Sequence, residues 1–194
     1  MVKSPAPYDA RVGQLRLMVP QIFKDPGTVL YIGACARRCQ CGGMLCKAGN
    51  ELTALEIWDE SLEKLKACRM SNWFTHFVLG DVREVDEIEL PHEKYDYGFW
   101  WHGPEHVSCH EFVPTVKKLE AITNKIVILA SPWGRAFGGT VFGNPHNAHR
   151  CYLHIEDYMA LGYRVAAIGP KNRPFGNILA WKDLEAIRER KNKK

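Results

Sequence analysis

Three residues that could bind a nucleoside each follow an apolar segment of the sequence. Gly33 follows VLYI, Glu56 ends ELTALE, and Asp81 follows FVLG. A glycine lets the chain turn close to a ligand, and an acid roughly 20 residues further on can accept hydrogen bonds from ribose hydroxyls. Asp81, with the N–H group of Val82, could hold an adenine through its amine and a ring nitrogen. Each signal alone is weak, but the three residues end or follow three successive predicted strands, and together they predict a nucleoside site.

A second set of reactive side chains lies in the stretch WWHGPEHVSCH, residues 100–110. His102 is a candidate general base, since an unperturbed imidazole titrates near pH 6.5. Glu105 could orient that imidazole or bind a cationic acceptor. These two residues are the predicted catalytic pair. Trp100 and Trp101 could form an aromatic wall with Trp133, although core packing explains the first two at least as well.

The sequence predicts no metal site and no disulfide framework. His102, His106 and His110 recur every four residues, but Pro104 favours a helix that begins after His102, so a surface or capping role is favoured for these histidines. The cluster of Cys35, Cys39, Cys41 and Cys46 matches no common zinc pattern. The seven cysteines are an odd number, and thiols are normally reduced in the cytoplasm, which is the expected compartment.

Short apolar segments alternate with helical ones along the whole chain. The predicted strands are residues 28–32, 51–57, 74–80, 95–101, 125–130, 163–169 and 177–182. Helices are expected over 8–24 (limited by Pro20), over 36–48, from Asp59, and from Pro104 or Glu105 with an interruption at Pro114. The alternation predicts a doubly wound, three-layer α/β sandwich with a seven-stranded, mostly parallel sheet. The last two segments are joined by only GPKNRPF, which is too short for a parallel crossover and predicts an antiparallel hairpin.

Length and composition predict one domain over residues 1–194. It comprises an N-terminal helical segment (1–26), the α/β core and a basic C-terminal helix or tail (183–194). The formal net charge is only +4. Part of it lies in the tail, whose basic residues are expected to be solvated rather than to bind nucleic acid. No membrane span is expected.

The ordered array VLYIGA, ELTALEIW, FVLGDVRE, YDYGFWW, KIVILASPWG and LGYRV resembles class I S-adenosylmethionine-dependent methyltransferases over residues 27–182. The resemblance implies S-adenosylmethionine as cofactor and S-adenosylhomocysteine as product. It implies that the Gly33 turn lies against the methionine part, that Glu56 binds the ribose, and that Asp81 with Val82 binds the adenine. The implied cofactor-binding set is Tyr31, Gly33, Ala34, Glu56, Ile57, Asp81, Val82, Arg83 and Trp101.

The sequence departs from that family at the first loop. Tyr31 stands where members usually carry an acid, and Cys35 and Arg37 stand where glycines are common. The expected function is methyl transfer to a small-molecule acceptor. The alternative is a protein that binds S-adenosylmethionine or a nucleoside without catalysis.

Other functions and partners are less well supported. A nicotinamide-dependent oxidoreductase is disfavoured because G-x-G-x-x-G does not follow the first strand. Methylation of nucleic-acid bases is disfavoured because HGPE stands where those enzymes carry an Asn/Asp-Pro-Pro-aromatic tetrad. A homodimer is left open. The segment GNPHNAH (143–149) is either a lid over the acceptor or an exposed turn.

Overall fold

The computed structural model describes residues 7–36, 39–134, 143–169, 171–172 and 176–193. Seven strands form one sheet: β1 (Thr28–Ile32), β2 (Glu51–Glu56), β3 (His76–Leu79), β4 (Tyr95–Trp101), β5 (Thr123–Pro132), β6 (Arg164–Ile168) and β7 (Asn177–Asp183). The α-helices are α1 (Pro7–Met18), α2 (Gln21–Lys24), α3 (Gln40–Lys47), α4 (Asp59–Lys66), α5 (Cys109–Ala121), α6 (Ile155–Ala160) and α7 (Leu184–Asn192). None of these helices combines the length and apolarity that crossing a bilayer requires.

The sheet order is β3-β2-β1-β4-β5-β7-β6. The first five strands pair in parallel, and β7 is antiparallel to both β5 and β6. The predicted fold class is therefore confirmed, including the terminal hairpin. The chain winds outward in one direction from β1 and in the other from β4, so the strand order reverses between these two strands. In such sheets ligands bind beyond the carboxyl ends of the strands at that point.

Both faces of the sheet are covered, which explains why its strands are almost continuously apolar. Successive side chains of a strand point to opposite faces. Tyr31 and Phe99 accordingly lie in one core cluster, while Leu30 and Trp100 lie in the other. The sheet is thus a rigid support for the loops at its carboxyl edge.

The helix predictions need three corrections. The helix predicted from Pro104 or Glu105 begins only at Cys109, because Pro104–His106 form a separate 3-10 turn and Ser108 caps α5. The helix predicted over 36–48 begins only at Gln40, because the chain leaves β1 through a turn and residues 34–36 are not helical. Pro114 lies inside α5 and does not interrupt it. A capping box between Ser108 and Glu111 secures the start of α5, and its buried apolar face packs on the sheet; together these outweigh the hydrogen bond that proline removes.

One further expectation is wrong: cysteine pairing occurs, since Cys109 and Cys151 form a disulfide. The fold brings together two cysteines separated by 42 residues, a proximity that cysteine counting does not reveal. In the tail, Arg188 is exposed as expected, and its guanidinium also donates to the carbonyl oxygens of Asn124 at 2.7 Å and Thr123 at 2.9 Å, which docks α7 beside β5.

Candidate active site

Gly33 forms the turn at the end of β1. Its φ of +75° belongs to the left-handed region, where glycine alone is unstrained. The Gly33 N–H donates to the carbonyl oxygen of Leu55 at 2.8 Å, which joins the turn to the last residues of β2. A Cβ atom built on Gly33 would meet no described heavy atom within 4 Å. The turn therefore presents bare backbone to open space at the point of strand reversal.

Glu56, the last residue of β2, is only 5% exposed. One of its oxygens accepts a hydrogen bond from the Trp58 N–H at 3.0 Å. Burial raises the pKa of Glu56 to about 7, and hydrogen bonds from the backbone of Trp58 and Ile57 offset this only in part. Ile57 itself is half-buried in the bend that follows. A neighbouring ligand with hydroxyl donors would stabilise the ionised carboxylate.

Asp81 follows β3 and caps a short helical turn, Val82–Glu84. Its Oδ1 accepts from the Arg83 N–H at 2.9 Å, and its Oδ2 accepts from Arg83 Nε at 2.8 Å and Nη2 at 2.5 Å. Arg83 also donates to Glu111 at 2.8 Å, which ties this loop to α5. A carboxylate has about four acceptor positions, so Asp81 keeps about one for a ligand. Val82 is buried beside it.

Three other predicted cofactor residues are buried against the sheet. The ring of Tyr31 lies 5.6 Å from Phe74 and 4.9 Å from Phe99, measured between centroids. Ala34 is fully buried just after the turn. Trp101, at the end of β4, stacks on Phe99 with a centroid distance of 5.4 Å. Tyr31 and Ala34 are thus buried core residues on either side of the Gly33 turn.

Trp101 also carries an unsatisfied donor. It is 6% exposed, and its Nε1 has no hydrogen-bond partner among the described residues. Trp100, by contrast, belongs to the core on the opposite face. Core packing is therefore the structural role of Trp100, while Trp101 has a polar atom near the carboxyl edge that a ligand could satisfy.

His102 and Glu105 lie together after β4. His102 has a φ of +53°, and its N–H donates to the carbonyl oxygen of Ala130 on β5 at 2.8 Å. Its Nδ1 lies 3.4 Å from Oε1 of Glu105, whose side chain is almost wholly buried. Burial alone would raise the pKa of Glu105, but the hydrogen bond from His102 and the nearby imidazoles lower it below its usual value. The carboxylate therefore stays ionised and orients the imidazole.

Two neighbours of this pair were not assigned to it from the sequence. His106 Nε2 lies 3.9 Å from Oε1 of Glu105, and the rings of His106 and His149 are 5.2 Å apart. His149 belongs to the segment that was predicted to be a lid or an exposed turn. There Asn144 is buried and accepts a hydrogen bond from the His146 N–H at 2.8 Å. No sequence signal joins His149 to His106, although GNPHNAH was recognised as rich in polar groups.

The structure of the chain is similar to several solved structures, among them methyltransferases. A SAM-dependent methyltransferase from Archaeoglobus fulgidus superimposes with a TM-score of 0.58 at 20% identity, over 90% of this chain and 94% of that one. Magnesium protoporphyrin IX methyltransferase (ChlM) from Synechocystis PCC 6803 with bound SAM superimposes with a TM-score of 0.58 at 16% identity, over 94% of this chain and 86% of that one. The PH0226 protein from Pyrococcus horikoshii OT3 superimposes with a TM-score of 0.64 at 15% identity, over 93% of this chain and 92% of that one.

The chain has the class I methyltransferase fold. No protein-family model matches the sequence, and no curated protein matches it either. At these identities the similarity concerns the fold of the chain, and the residues of the site carry the argument about its function.

Proposed function

We propose that the protein is a methyltransferase that uses S-adenosylmethionine and acts on a small-molecule acceptor. The observation that carries this proposal is the grouping of Gly33, Glu56 and Asp81 at one edge of a sheet of this topology. The solved structure of ChlM contains SAM, and it shares this fold. These residues offer a bare turn and two acids, which are the groups that a nucleoside with a polar tail requires.

The open space at Gly33 and the buried carboxyl group of Glu56 both fit this cofactor. The space beyond the Cα of Gly33 is open, so a ligand can approach the backbone where a side chain would otherwise stand. The buried carboxyl group of Glu56 has no salt bridge among the described residues and would gain hydrogen bonds from a ribose diol. The departures at Tyr31 and Cys35 fit as well, since Tyr31 points into the core and Cys35 is still small.

The roles of the chain's own residues follow from their positions. S-adenosylmethionine, when bound, would supply a sulfonium methyl carbon that an acceptor attacks in line, with S-adenosylhomocysteine as the leaving group. The Gly33 turn allows close approach, Glu56 accepts hydrogen bonds from the ribose, and Asp81 accepts one from the adenine amine. Glu105 holds His102 in position to take up the proton of an acceptor. Because alignment supplies much of the rate in such displacements, we assign His102 a moderate contribution.

Two measurements test the proposed function. Methyl-labelled S-adenosylmethionine is incubated with the protein and the small-molecule fraction of a cell extract, and labelled products are identified by mass spectrometry. We expect transfer by the native chain and at least tenfold slower transfer by His102→Ala, with S-adenosylhomocysteine affinity unchanged in calorimetry. Cofactor binding without transfer to any small-molecule pool would contradict the enzymatic part of the proposal and favour the non-catalytic alternative.

A further inference from the structure

Three side chains near the end of β4 could share a cation. They are Glu105, His106 and His149, and each offers one ligand atom, with all three atoms within 4.8 Å of one another. A carboxylate oxygen and two imidazole nitrogens are a common donor set for divalent transition metals. His149 comes from a different segment of the chain, so the cluster is created by the tertiary fold.

Glu105 provides independent evidence for a ligand at this position. Its side chain is buried, with the residue only 3% exposed, and its Oε2 has no hydrogen-bond partner among the described residues. Its other oxygen faces His102 and His106 at 3.4 and 3.9 Å. Leaving a buried carboxylate oxygen without a partner is destabilising. A cation bound by the Glu105 carboxylate would neutralise the charge that its two oxygens share, and so lower the cost of the unpartnered oxygen.

His106 is already oriented as a metal ligand. Its Nδ1 lies 3.2 Å from the carbonyl oxygen of Ala148. A carbonyl oxygen only accepts hydrogen bonds, so Nδ1 carries the proton and the lone pair is on Nε2, the nitrogen that faces Glu105. Metal-binding histidines commonly donate their second ring N–H to a backbone carbonyl in this way.

The two segments that contribute ligands are joined by several bonds. The carbonyl oxygen of Glu105 accepts hydrogen bonds from the N–H groups of Arg150 at 2.8 Å and Cys151 at 3.2 Å. The disulfide from Cys151 to Cys109 fixes the same segment to the start of α5. These bonds hold His149 beside His106 before any ligand arrives.

We propose that Glu105, His106 and His149 bind a first-row divalent transition metal of the Zn²⁺ type. Three protein ligands leave at least one coordination position open. His102 Nδ1 lies 3.4 Å from the same oxygen, Oε1 of Glu105, and acts as an outer partner of that ligand. Mg²⁺ is excluded by the two imidazoles, because this hard cation prefers oxygen ligands. The expectation of no metal considered the spacing of His102, His106 and His110 and the cysteine cluster, and it did not include His149.

A second cluster of the same composition provides a control. Glu51, His76 and His92 also have ligand atoms within 4.8 Å, but Glu51 Oε1 already lies 3.2 Å and 2.9 Å from the two imidazoles. Glu51 begins β2 and lies at the opposite edge of the sheet from Glu105. Its carboxylate is partly exposed and bonded to both histidines, so no group there needs a cation.

The test is a titration of the metal-stripped full chain with Co²⁺, followed by visible absorption. We expect saturation at one equivalent, no intense thiolate bands, displacement by Zn²⁺ and none by Mg²⁺. Glu105→Gln and His149→Ala should each weaken binding at least tenfold, while Glu51→Gln binds as the native chain does. Circular dichroism checks the fold of each variant, and His149→Ala alters a half-buried loop residue whose loss the core tolerates.

Three outcomes would overturn this proposal. They are no saturable binding at millimolar Co²⁺, thiolate bands in the bound form, and retention of binding by both Glu105→Gln and His149→Ala. Calorimetry with S-adenosylhomocysteine on the same samples separates this proposal from the proposed function. Co²⁺ binding without S-adenosylhomocysteine binding would support the metal site alone. S-adenosylhomocysteine binding without Co²⁺ binding would overturn the metal site and leave the methyltransferase proposal intact.

Discussion

The N–H of Gly33 donates to the carbonyl oxygen of Leu55, with 2.8 Å between nitrogen and oxygen. This bond continues the pairing of β1 with β2 by one step beyond Ile32. It holds the Gly33 turn next to Glu56, the residue after Leu55. A backbone that can approach a ligand and an acid that can accept hydroxyl donors are therefore adjacent.

Gly33→Ala is expected to lose cofactor binding. The positive φ costs an alanine about 1 kcal/mol or more in stability, and the new methyl group projects into the space assigned to the ligand. We expect at least tenfold weaker S-adenosylhomocysteine binding in calorimetry. Gly143→Ala is the matched control, because Gly143 has the same φ of +75° and equally open surroundings. Equal losses of affinity in the two variants would disprove the assignment of Gly33.

The affinity for S-adenosylhomocysteine is expected to increase with pH through the titration of Glu56. The free protein has a pKa of about 7 at this carboxyl group, and ribose hydroxyls favour the ionised form. We expect binding about tenfold weaker at pH 6 than at pH 8. Glu56→Gln is expected to bind weakly at both values, without this dependence. A native chain whose affinity is constant over this range would show that Glu56 does not face the ligand.

Glu56→Gln is also expected to stabilise the unliganded chain at neutral and higher pH. The folded pKa lies above the unfolded value of 4.5, so the folded state retains a proton that the unfolded state has released. Stability of the native chain therefore falls as pH rises from about 4.5 to 7, by up to about 3 kcal/mol, and the glutamine variant lacks this loss. Urea unfolding at several pH values measures the difference.

The control for this effect is Glu51→Gln at the other end of β2. Hydrogen bonds with His92 and His76 lower the pKa of Glu51, so its ionised form contributes stability that is lost as pH falls. Glu51→Gln should therefore be less stable than the native chain at neutral pH, and this deficit should shrink as pH falls. A stability gain in Glu56→Gln that does not depend on pH would contradict the buried, protonated state of Glu56.

Asp81→Ala is expected to weaken nucleoside binding about ten- to hundredfold, because it removes the acceptor for the adenine amine and releases Arg83. Asp86→Ala, on the same segment, removes an exposed ion pair with Lys118 and should leave the affinity unchanged. Equilibrium calorimetry with S-adenosylhomocysteine compares the two variants. A similar affinity in both would place the adenine elsewhere.

The fold was largely predictable because strand patterns and loop lengths are local. Thr28–Ile32 and Tyr95–Trp101 coincide with their predicted bounds, and the short loop before β7 required an antiparallel strand. The start of α3 was not predictable to the same accuracy. The small residues after Gly33 are compatible with both a turn and a helix, and tertiary packing selects the turn.

The site was predictable only where its residues follow strands. Glu56 and Asp81 end or follow neighbouring strands, so topology alone brings them to one edge. The approach of His149 to His106, the disulfide and the bond from Arg83 to Glu111 all join segments distant in sequence. Their distances depend on loop paths that periodicity does not determine.

Calorimetric titration of the full chain with S-adenosylhomocysteine at pH 8 tests the proposed cofactor site most directly. We expect saturable binding of one equivalent, weakened by Gly33→Ala and Asp81→Ala and unaffected by Gly143→Ala and Asp86→Ala. Absence of binding at millimolar ligand would contradict the proposed site.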